Sequence, residues 1–127
     1  MKIEINKLLK IVFDVKDFDE NLPSVQFEVR IDVQNFAYNL CAESSFWFEC
    51  RIFDEFIKDM QKNQCAVLKD INESFEIIID PHKEILQWLM RKEDLEGNVS
   101  VAQGAEKLMA DMREVICHLF MAYPKWW

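Results

Sequence analysis

Val25, Phe27, Val29, Ile31 and Val33 alternate without a break with Gln26, Glu28, Arg30 and Asp32. A period of two sends one set to each face of a β-strand, so this stretch reads as a half-buried strand with its polar set toward water. A helix would scatter the same apolar residues around its circumference. After Val33 the parity changes, because Phe36, Tyr38 and Leu40 carry even numbers. A tight turn at Gln34-Asn35, or a bulge, explains the switch, since one extra residue moves the apolar set to the opposite face. Phe46, Phe48 and Cys50 then read as a third short strand, with Trp47 on its other side.

Upstream, Ile11, Phe13 and Val15 alternate and predict a strand ending near Val15, while the spacing over residues 3–12 also permits a helix. Residues 16–24 hold Asp17, Asp19, Glu20, Asn21 and Pro23 and read as a loop. Downstream the period changes. Phe53, Phe56, Ile57 and Met60 fall at i, i+3, i+4 and i+7, which predicts an amphipathic helix over residues 52–63. Short strands follow at 66–68 and at 75–80, the latter closed by the turn Asp80-Pro81-His82-Lys83.

Residues 84–92 fit either a helix or a buried strand, and the preceding turn favours a strand in a hairpin. Residues 95–101 read as the next strand. From Ala105 through Leu108, Met109, Met112, Val115, Ile116 and Leu119 to Phe120 the spacing is helical, and Pro124 stops it. Strands joined by short turns rather than crossover helices predict one α+β domain over residues 1–127, with an antiparallel sheet of about six to eight strands and two principal helices packed on it.

Charge narrows the function. Twenty-three acidic against fifteen basic side chains leave a formal charge of −8. Nucleic-acid binding needs a positive patch that releases counterions, so neither nucleic acid nor an anionic membrane is an expected partner. A basic protein is, because opposite charge steers encounter. Cys41, Cys50, Cys65 and Cys117 show no C-x-x-C spacing, and the start of the chain has no signal-peptide core. Reduced thiols in the cytoplasm are the expectation.

Catalytic groups are sparse. His82 lies in a turn, and His118 follows Cys117 in the last helix, where adjacent side chains point about 100° apart. No serine sits in a nucleophile motif, and the calcium-loop pattern is absent. No catalytic residue, metal site or cofactor is expected, and the chain does not read as an enzyme. The candidate binding residues are Asp14, Asp17, Asp19 and Glu20, with Glu93, Asp94 and Glu96 as a second acidic patch. Trp47, Trp126 and Trp127 are the candidate aromatic anchors.

The segment Phe46-Trp47-Phe48-Glu49 leads into Phe53-Asp54-Glu55-Phe56-Ile57-Lys58-Asp59-Met60. Ala66-Val67-Leu68-Lys69-Asp70, Phe75-Glu76-Ile77-Ile78-Ile79-Asp80 and Gly97-Asn98-Val99-Ser100-Val101 follow, before the closing helix. Over residues 45–121 this order resembles the WapI-type immunity proteins and related small bacterial proteins of polymorphic-toxin and contact-dependent inhibition systems. The resemblance implies a protein that binds and neutralises one cognate toxin domain without catalysis. A nuclease is the expected toxin, since its basic cleft suits an acidic partner. The alternatives are a general interaction domain, such as a homodimer through an exposed sheet edge, and a small enzyme or ligand carrier.

Overall fold

The computed structural model describes residues 2–6 and 9–123. The elements run β1 (Lys2–Asn6), β2 (Leu9–Asp19), β3 (Ser24–Asn35), β4 (Tyr38–Glu49), α1 (Cys50–Gln61), β5 (Ala66–Lys69), β6 (Phe75–Asp80), β7 (Ile85–Glu93), β8 (Val99–Lys107) and α2 (Ala110–Met121). The class is α+β. The strands form two four-stranded sheets instead of one, in the orders β1-β2-β3-β4 and β5-β6-β7-β8, and every pairing is antiparallel. Helix α1 carries the chain from the first sheet to the second. It packs along β5 and touches β4 and α2, while α2 reaches β1. The helices therefore bind both sheets together and do not cover one shared sheet.

The first sheet shows most clearly how pattern becomes structure. Ile3 and Ile5 of β1 and Leu9, Ile11 and Phe13 of β2 are buried at alternate positions. That period of two overrides the helix permitted over residues 3–12. Residues 16–24 are not one loop either, because β2 runs on to Asp19 and only residues 20–23 turn. The register between β2 and β3 shifts between Val15 and Asp17, so Lys16 is the extra residue of a bulge. The bulge keeps both Val15 and Phe18 toward the core, and it breaks the alternation that would have marked a single long strand.

Between β3 and β4, Asn35 pairs with Tyr38, which makes Phe36-Ala37 the turn, later in the chain than Gln34-Asn35. Odd-numbered residues of β3 then oppose even-numbered residues of β4, and that is the origin of the parity switch. Ala37, at the second turn position, sits at φ 58°, the left-handed value that a type II turn places there. The expected short third strand is the end of the continuous β4, and Cys50 opens α1.

In the second half the strand reading of residues 84–92 is the observed one, as β7. Two boundaries move. Residues 94–98 form the β7–β8 turn, so β8 starts at Val99 and Leu95 is fully exposed. The last helix starts at Ala110 and not at Ala105, because residues through Lys107 pair with β7.

One apolar cluster draws on both sheets and both helices. Its centre is aromatic. The Phe13 ring lies 5.8 Å from Phe27, 5.9 Å from Phe75 and 5.7 Å from Phe120, each edge to face. Phe46 stacks on Phe75 at 5.3 Å, and Phe27 on Phe53 at 5.2 Å. Aromatic pairs in such geometry add to burial. A backbone bond also ties β4 to the β5–β6 turn, from the Ile71 N–H to the Trp47 carbonyl at 2.8 Å.

Candidate protein-binding face

With Val25, Phe27, Val29 and Ile31 turned to the core, the other face of β3 presents Gln26, Glu28, Arg30 and Asp32. Register then decides what stands beside them. Asp14 pairs with Glu28, Asp17 with Gln26 and Asp19 with Ser24 on the β2 side. On the β4 side, Trp47 pairs with Gln26, Glu43 with Arg30 and Cys41 with Asp32. Asp17, Gln26 and Trp47 thus form one row across three strands. The bulge at Lys16 is what brings Asp17 and Asp19 to this face.

The face is a lattice of charge with an acidic excess. Lys10 pairs with Glu4 at 3.2 Å, Lys16 with Asp14 at 3.4 Å and Glu28 at 4.0 Å, and Arg30 with Asp32 at 2.9 Å and Glu43 at 3.4 Å. These pairs are solvent-exposed, so each contributes little to stability. The Arg30 guanidinium, through its hydrogen bond and then the Cys41 thiol, holds the Asp32 carboxyl below its usual range. Asp32 in turn raises the Cys41 thiol.

Among the described residues Asp17, Asp19 and Glu20 make no ion pair. The Asp17 carboxylate accepts from the Phe18 N–H and that of Asp19 from the Asn21 N–H, each leaving acceptor capacity toward water. A hollow of about 360 Å³ between Lys2, Lys10, Asp14, Arg30 and Glu43 dents the same face.

The second acidic patch lies on the other sheet. Glu93 pairs with Arg91 at 3.8 Å. Asp94 is committed to its own turn: its carboxylate accepts from the Glu96 and Asn98 N–H groups, both at 2.9 Å, and from the Asn98 side chain at 3.0 Å. Those bonds, the Asn98 side chain foremost, hold its carboxyl below the usual range. Gly97, at φ 86°, completes the turn. Glu96 is exposed. Trp126 and Trp127 lie outside the described residues.

The outward acids Glu4, Glu28, Asp32 and Glu43 were absent from the sequence-derived set, although the alternation over residues 25–33 marked Glu28 and Asp32. Phe36 was also missed. It is fully exposed at the tip of the β3–β4 hairpin, whereas Phe13, Phe27, Phe48, Phe53, Phe56, Phe75 and Phe120 are fully buried.

Other hollows among the described residues include two larger ones. One of about 420 Å³ lies on the second sheet, lined by Glu76, Ile78, Gln87, Trp88, Leu89, Gln103, Gly104 and Ala105. The other, of about 390 Å³, runs between α1 and α2 past Met60, Asn63, Arg113, Glu114, Cys117 and His118. Both His82 and His118 are exposed. Among the described residues no three His, Cys, Asp or Glu side chains converge as metal ligands, and no helix is long and apolar enough to cross a membrane.

No protein-family model matches the chain, and neither a curated protein nor a solved structure does.

Proposed function

We propose that this chain is a cytoplasmic immunity protein that binds and neutralises a cognate toxin domain, most simply a nuclease, through the outer face of its first sheet. The observation that carries the reading is the cross-strand row Asp17–Gln26–Trp47, set in an acidic face. Unpaired carboxylates speed capture of a basic partner. A half-buried tryptophan offers the kind of rigid anchor that slows release. The order of signals over residues 45–121 supports the same reading by resemblance.

The groove between the helices favours a second reading, a small enzyme or ligand carrier, because it brings Glu114, Cys117 and His118 to one hollow. It is a surface groove, with Glu114 and His118 both exposed, which suits a water-excluding reaction poorly. Co-expression discriminates the two. The immunity reading requires a large secreted protein encoded beside this chain, and the probe is the C-terminal domain of that protein. Cells making that domain alone should stop growing, and cells making both should survive, with the two proteins purifying together. Absence of such a neighbour, or growth arrest undiminished by the chain, overturns the immunity reading.

A further inference from the structure

The second sheet ends in β8, and among the described residues no backbone group pairs with its far side. The Leu108 N–H donates to the Glu84 carbonyl and the Asp94 N–H to the Asn98 carbonyl. Even-numbered residues therefore exchange the hydrogen bonds between β7 and β8. Antiparallel pairing alternates, so the N–H and C=O groups of Val99, Val101, Gln103, Ala105 and Lys107 point away from β7. These are polar groups of a long edge with no proline and no bulge to block it, the kind of edge that pairs with another chain.

We propose that β8 is the seam of a homodimer, formed by antiparallel pairing of β8 with β8 of a second copy about a two-fold axis at Gln103. This register satisfies every outward group at once. Gln103 meets Gln103, Val101 meets Ala105, and Val99 meets Lys107, all of them residues whose hydrogen-bonding groups face outward. The charges agree with a second copy as the occupant. Lys107 of each copy comes opposite Val99 of the other, beside Glu93, which is the β7 neighbour of Val99. No like charges oppose each other across the seam. Val99 and Val101, 47% and 55% exposed, gain apolar neighbours on the outer face.

The remaining edges suit this role less well. β5 lies against α1, β4 gives its Trp47 carbonyl to Ile71, and β1 has five residues.

The seam is independent of the acidic face on the first sheet, and its salt dependence has the opposite sign. Two copies of charge −8 repel, so added salt strengthens the dimer, whereas capture of a basic toxin weakens with salt.

The test is sedimentation of the full chain alone, as wild type, Gln103→Pro, Gln103→Lys and Gln103→Glu. Gln103→Pro removes an N–H that β7 does not use and deletes two donors per dimer, which should weaken association by about 30-fold. Gln103→Lys alone sets two ammonium groups face to face and should be weaker than wild type. Mixing Gln103→Lys with Gln103→Glu should restore a dimer, a result that also rules out misfolding. A wild type that stays monomeric at high salt overturns the proposal. So does a dimer equally tight in all variants, or a Lys/Glu mixture no tighter than Gln103→Lys alone.

Discussion

Asp70 is the one buried carboxylate among the described residues, 5% exposed, and it works on the backbone. It accepts from the Ser74 N–H at 2.7 Å and the Phe75 N–H at 2.9 Å, which fixes the β5–β6 turn and seats Phe75 among the aromatic rings. Asp70→Ala strands those donors and should cost about 1–3 kcal/mol in denaturant unfolding, with Asp70→Asn losing less because its carbonyl still accepts. An unchanged midpoint for Asp70→Ala would remove this role. The sequence showed Asp70 only as one acid among many, because a turn bracket depends on backbone directions that side-chain chemistry does not encode. Trp47 was legible for the opposite reason. It stands at an outward parity between Phe46 and Phe48, and parity alone placed it.

Among the elements, those with a clean period were legible. Residues 75–80 and the stripe Phe53, Phe56, Ile57 and Met60 each lie where their spacing put them, and all four stripe residues are buried. The failures have physical causes. Lys16 interrupts the alternation of β2, so a bulged strand looked like a strand followed by a loop. At the other end, Ala105 and Leu108 happen to fit a helical spacing with Met112, yet Ala105 pairs with Gln87 across β7 and β8.

Gly104 holds that pairing. A Cβ built there would lie 2.7 Å from the Trp88 indole nitrogen, so only glycine lets the ring cross its strand neighbour. Gly104→Ala should destabilise by about 1–3 kcal/mol through overpacking and shift the Trp88 fluorescence. Retention of both would mean that the ring moves freely aside.

For the molecule as a whole, the division into two sheets was the part hidden from sequence. Whether eight strands form one sheet or two depends on which edges meet, and edge pairing leaves no period behind. The aromatic centre now makes the two halves interdependent. Phe13, from the first sheet, touches Phe75 of the second and Phe120 of α2. Phe13→Ala should cost about 3–5 kcal/mol and lower both halves together. Far-ultraviolet dichroism and tryptophan fluorescence, with Trp47 on one sheet and Trp88 on the other, should report one coincident transition. Two separated transitions would show that the sheets fold apart.

The acidic face is likewise a property of the assembled sheet, since Asp17 and Trp47 are neighbours only through β3. Its role is tested most directly by the association rate with the co-encoded toxin domain, measured against salt for wild type and for Asp17→Lys/Asp19→Lys/Glu20→Lys. The wild-type rate should fall steeply as salt rises. The triple variant should associate about tenfold more slowly at low salt, with a flatter dependence. Identical rates and identical salt slopes for the two proteins would contradict a first sheet that captures its partner by charge.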